Sequence, residues 1–100
     1  MFSISNEVTG DVNVIKLVGR LDVKAARDAE DAFTDVANQA PNIVLDMSEL
    51  EYIASAGLRI LKRLRGDVRA NGGKLTVRNV QDDVMEILEM TGFAAMLSFE

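Results

Sequence analysis

The chain has 100 residues, 48% of them hydrophobic and 27% charged, which suits one folded domain and excludes both a disordered chain and a two-domain assembly. It contains no cysteine and no histidine, which removes disulfides, the common zinc sites, thiol nucleophiles and imidazole acid-base chemistry. With 11 basic against 16 acidic residues the net charge is -5, so the chain repels nucleic acid and anionic lipid at long range.

Phe2, Ile4 and Val8 fall on alternating positions, Val12, Val14, Ile15, Leu17 and Val18 form a denser apolar run, and Thr9-Gly10-Asp11 lies between them. This pattern predicts a β-hairpin whose first strand, polar at Ser3, Ser5 and Glu7, is an edge and whose second is central, apolar on both faces. From Asp22 the period changes. Ala26, Ala29, Phe33, Val36 and Ala37 recur at three- and four-residue spacing, predicting an amphipathic helix capped by Asp22 and stopped after Ala40 by Pro41. Ile43-Val44-Leu45, ending at Asp46, has the composition of a buried strand, and Met47 to Ala54 reads as an irregular connection.

A second helix is expected from about Ser55 to Asn71, with Ile60, Leu61, Leu64 and Val68 on its inner side and Gly72-Gly73 ending it. Lys74 to Arg78 alternates as a strand. A third helix runs from about Gln81 to Met90, with Gly92 suited to the left-handed position after it and Phe93 to the hydrophobic contact that follows. Leu97-Ser98-Phe99 is a candidate last strand. The expected fold is therefore α/β: one domain over residues 1–100, with an antiparallel N-terminal hairpin, then parallel strands, in one mixed sheet with its helices mainly on one face. The N-terminus lacks the basic start and apolar run of a secretory signal, and no stretch reaches about 18 apolar residues. A cytoplasmic protein without membrane insertion is the expectation.

Parallel strands ending near Val18, Asp46 and Arg78 would bring Gly19 to Asp22, Met47 to Ser55 and Asn79 to Asp82 to one edge of the sheet, where ligands and partners of open α/β sheets usually bind. Ser55 stands where the second helix begins. It suits an N-cap, and the free amides and positive dipole end there would equally tolerate a phosphoserine. Ser55 is no hydrolase nucleophile, since the chain offers no histidine as base and only Lys16, Lys24, Lys62 and Lys74 as lysines. Asp22, Asp46, Ser48, Glu49 and Glu51 lack the spacing of a cation loop. The second helix carries Arg59, Lys62, Arg63, Arg65 and Arg69 against Asp67 alone. That face is either simply solvated or a docking surface for an acidic partner; no aromatic residues interleave the cations as nucleic-acid binding would want.

Leu17-Val18-Gly19-Arg20-Leu21-Asp22, Ile43-Val44-Leu45-Asp46-Met47-Ser48, Tyr52-Ile53-Ala54-Ser55-Ala56-Gly57-Leu58 with Leu61, and Leu88-Glu89-Met90-Thr91-Gly92-Phe93 together resemble the STAS domain family of bacterial anti-sigma-factor antagonists, over nearly the whole chain. The resemblance implies a binding module rather than an enzyme, with no cofactor. Ser55 matches the serine that the family phosphorylates. The implied partners are an anti-sigma factor that is also a serine kinase with a histidine-kinase-like ATPase fold, and a PP2C-type phosphatase that restores binding. The implied contact surface comprises Asp22, Ser48, Glu51, Ala54, Ser55, Ala56, Gly57, Leu58, Arg59 and Lys62. Ala54 and Ala56 depart from the family, which usually has aspartate at the first position and serine or threonine at the second. Some STAS domains serve instead as unphosphorylated scaffolds or subunits of larger assemblies, in lipid transport or stressosome-like particles.

Overall fold

The computed structural model describes residues 1–100. A tight turn at Gly10 joins β1 (Phe2–Thr9) to β2 (Val12–Leu21), and the two pair antiparallel. After α1 (Val23–Ala37) the chain enters β3 (Asn42–Ile53), then α2 (Ser55–Ala70), β4 (Leu75–Arg78), α3 (Asp82–Met90), a 3-10 turn (Phe93–Met96) and β5 (Ser98–Phe99). Spatial order equals chain order, β1-β2-β3-β4-β5, and every pair after the hairpin is parallel. The expected mixed sheet is present, with β1 at an edge.

The register explains where the core lies. Ile15 stands opposite Leu45, and Leu45 opposite Val77; all three are fully buried. The adjacent row, Ser5, Lys16, Asp46 and Arg78, lies on the other face, where every member keeps some exposure. Helices therefore cover one face, and β2 is fully buried on that side only, short of the two apolar faces expected of it. Phe33 of α1, Leu61 and Leu64 of α2, and Val84 and Leu88 of α3 fill the space between helices and sheet.

Two elements differ from expectation in their extent. β3 continues through Met47 to Ile53, where an irregular connection was expected, because its pairing with β2 shifts register twice, between Lys16 and Val18 and between Gly19 and Arg20. Each shift gives β3 one extra residue, so Met47, Leu50 and Ile53 reach the core at three-residue intervals and the alternation that marks a strand disappears. α1 ends at Ala37, not Ala40. The carbonyl of Val36, which a longer helix would offer to Ala40, instead accepts from Asn13 Nδ2 at 2.8 Å and from the Gln39 amide at 3.2 Å. Asn13 is the one fully buried polar residue; its Oδ1 accepts from Asn6.

Candidate functional site

Leu21 and Ile53 form the last pair of β2 and β3, and α1 and α2 start beside each other from there. Asp22 caps α1 as expected: its carboxylate accepts from the Ala25 amide at 2.9 Å and its carbonyl from Ala26 at 2.8 Å. The start of α2 is different. The Ala54 amide donates to the Leu21 carbonyl at 2.9 Å, which holds Ala54 extended, and the Ala54 carbonyl accepts the first helical bond from Leu58. Ala54 is therefore the N-cap, and Ser55 is the first helical residue rather than the cap. No side chain caps the helix. Ser55 is exposed, with its hydroxyl at the positive end of a 16-residue helix.

Gly57 lets that helix end seat on the sheet, since a Cβ there would lie 2.9 Å from Ile53 Cγ1 and 2.9 Å from Leu21 Cγ. Leu58 is 5% exposed and packs into the core. Gly57 and Leu58 thus support the serine from below, whereas Asp22, Ser48, Glu51, Ser55, Arg59 and Lys62 are exposed and Ala54 and Ala56 half-buried. Glu51 lies on the bulged end of β3, beside Tyr52, whose ring is covered by the Arg20 guanidinium at 4.5 Å.

The three sheet-edge loops do not all converge. β4 ends where Arg78 pairs with Asp46, so Asn79 to Asp82 meets β3 not at the bulged end of the strand that leads into Ser55 but at Ser48. There Gln81 Nε2 donates to the Ser48 carbonyl at 2.6 Å and Asp46 accepts from the Ser48 amide at 3.0 Å. Asp46 is 15% exposed, with Arg78 at 3.6 Å. Burial pushes its carboxyl upward, but the hydrogen bonds from Ser48 and Asn79 and the Arg78 charge outweigh it and hold the group below its ordinary value. Asp46 is a structural carboxylate, and no acidic cluster of metal-binding geometry exists.

Between α1 and α2 a cavity of about 390 Å³ opens, lined by Val23, Arg27, Ala56, Arg59 and Arg63 among others; Ala56 is the residue after Ser55. Arg63 is tied to Glu30 across the helices at 2.8 Å; Arg27, Arg59 and Lys62 have no carboxylate partner. Val23 is 55% exposed. Val23 and Arg27 were absent from the surface expected from the sequence; the spacing of α1 puts Arg27 outside the core positions, whereas Val23, three residues before Ala26, is exposed because it lies at the helix start. Modification of this exposed serine, on a helix end without a side-chain cap and with Arg59 one turn on, would change the charge of the surface there.

The STAS domain family model matches residues 3–100. The chain is a STAS domain. Among curated relatives, a Bordetella bronchiseptica protein named as an anti-sigma factor antagonist, BtrV, is 35% identical over 54 residues, 54% of this chain and 47% of that protein. The STAS domain spans about half the length of that relative. An anti-sigma factor antagonist fold from Thermotoga maritima superposes with a TM-score of 0.86 at 18% identity, covering 96% of this chain and 84% of that one. The Bacillus protein SpoIIAA in its phosphorylated form gives 0.72 at 19% identity, covering 100% and 91%. These likenesses establish the fold. No helix of this STAS domain is long and apolar enough to cross a membrane.

Proposed function

We propose that this STAS domain is an anti-sigma factor antagonist, a non-catalytic binding module whose partner is an anti-sigma factor that is also a serine kinase with an ATPase fold. Phosphorylation of Ser55 by that kinase ends binding, and a PP2C-type phosphatase restores it. The observation that carries the reading is the placement of Ser55: exposed, first in α2, and without a side-chain cap over the adjacent amides. The names of relatives and the existence of a phosphorylated SpoIIAA structure support it.

The contact surface in this reading is Asp22, Ser48, Glu51, the α2 start from Ala54 to Ala56, and Arg59 and Lys62, with Val23 and Arg27 added from across the groove. Gly57 and Leu58 hold the helix end in place. A phosphate carrying about -1.5 to -2 charge would be drawn to the free amides and to Arg59 one turn on, but inside a packed interface it must shed water, and it repels Asp22 and Glu51. Each 1.4 kcal/mol of such cost, roughly, is tenfold in affinity.

Ala54 and Ala56 favour a second reading. Flanking the serine with methyl groups leaves the phosphate acceptor without polar neighbours at both positions, as a constitutive scaffold or assembly subunit would tolerate. A pull-down from the native host with wild type, Ser55→Ala and Ser55→Asp, followed by mass spectrometry, separates the two. The switch predicts an ATPase-fold kinase captured by wild type and Ser55→Ala and lost from Ser55→Asp. Equal capture by all three would establish the constitutive subunit.

A further inference from the structure

The outer side of β1 has no strand beside it, and β1 lacks the features that usually keep such an edge single. Its register with β2 runs unbroken through eight pairs, from Phe2–Gly19 to Thr9–Val12. It contains no proline or lysine, and Glu7 is its only charge. The opposite edge, β5, is two residues long and is followed by Glu100.

The Arg20 amide donates to the Met1 carbonyl at 3.1 Å, which makes Met1–Arg20 a hydrogen-bonded pair. Such pairs alternate along an antiparallel ladder. Odd-numbered residues therefore turn their backbone groups toward β2, and Phe2, Ile4, Asn6 and Val8 turn theirs outward. We propose that two copies of this chain pair antiparallel through β1, about a two-fold axis at Ser5.

The outward groups dictate this register. A bonded ladder needs even residues opposite even residues, and only an axis at Ser5 engages all four. Phe2 then pairs with Val8 of the second copy and Ile4 with Asn6 of the second copy, which yields about eight main-chain hydrogen bonds. Glu7 faces Ser3 of the second copy, so no like charges oppose each other. The helix-covered faces continue into one another. Beside β1 a trough of about 480 Å³ is lined by Phe2, Ile4, Ala25, Ala29 and Ala32 among others. Val8, 43% exposed in the single chain, would stand next to Phe2 of the second copy at the mouth of that trough. The pairing is isologous and closed, leaving only the short β5 edges free. Asp22, part of the Ser55 surface, also lines the trough, but no residue of α2 does, and the pairing itself runs through β1 alone, so this inference does not rest on the Ser55 reading.

Sedimentation equilibrium of the full chain over a wide concentration range tests it, with circular dichroism to verify folding. Wild type should rise with concentration from 10.9 kDa toward twice that mass. Ser5→Glu places a carboxylate next to Lys16 of its own chain but opposite its own symmetry mate, and should weaken the dimer by about fivefold. Ser3→Lys sets a cation opposite Glu7 of the second copy on both sides of the axis and should tighten it by a similar factor. A single-chain mass at every concentration overturns the proposal. So does a dimer that Ser5→Glu leaves unchanged, and a dimer that Ser3→Lys does not tighten has no axis at Ser5.

Discussion

Gly57 and Leu21 leave no room for a methyl group between them, since a Cβ at position 57 would stand 2.9 Å from Leu21 Cγ. Ile53 closes the other side at the same distance. Because Leu21 and Ile53 are themselves buried, neither side chain can swing into solvent. Gly57→Ala should push the start of α2 off the sheet and lower stability by about 1–3 kcal/mol, measured as a lower urea midpoint. A neutral result would mean that the helix end slides freely along the strands.

Ala54 sits in the extended conformation of an N-cap but brings no acceptor. Ala54→Asp should supply one to an amide of the first turn without altering the backbone, raising stability by about 0.5–2 kcal/mol. Thermal unfolding at neutral pH checks the gain. It should shrink as the new carboxylate is protonated.

Negative charge at Ser55 should act in opposite directions on folding and on binding. At the first position of α2 it complements the helix dipole, so Ser55→Asp should stabilise the isolated domain by about 0.3–1 kcal/mol while the proposed partner is lost. A variant that lost both stability and partner would point to local unfolding and not to a switch.

Asp46 carries a pH prediction. Its folded-state carboxyl lies below the ordinary value, so its contribution to stability is fully present above the unfolded value near 4, and is lost as pH falls through the lower folded value. Asp46→Asn should therefore lower the urea midpoint near neutral pH, and the gap to wild type should close on acidification. A gap that stayed constant down to the acid limb would mean that the loss comes from something other than the ionised carboxylate.

Much of this organisation is legible in the chain because helices and ordinary strands leave their own period in it. α1, α2 and α3 each announce themselves by three- and four-residue spacing, and the hairpin by alternation around Thr9-Gly10-Asp11. β3 is the exception. Its second half is bulged, which changes the spacing of Met47, Leu50 and Ile53 to that of a helix, and no local property of those residues reveals that β2 lies alongside. The end of α1 was hidden for a similar reason: Asn13, on another strand, takes the Val36 carbonyl. The site shows the same division. Ser55 is recognisable as the start of a helix, but its displacement from the cap depends on the bond between Ala54 and Leu21, residues 33 positions apart. Leu58 looks like part of the motif surface and is a core residue because the register of α2 turns it inward.

The all-parallel pairing beyond β2 also sets the order in which this molecule can fold. The β1–β2 hairpin is the only part of the sheet that local sequence can close; each later strand must wait for a whole crossover helix before it finds its neighbour. β3, which lies between β2 and β4, completes its hydrogen bonding only after α2 and β4 have formed. A nascent chain halted before residue 75 would present the far edge of β3 unpaired. Refolding is accordingly expected on the millisecond scale or slower, with hairpin amides protected first and the amides of β3 facing β4 last in pulsed hydrogen exchange.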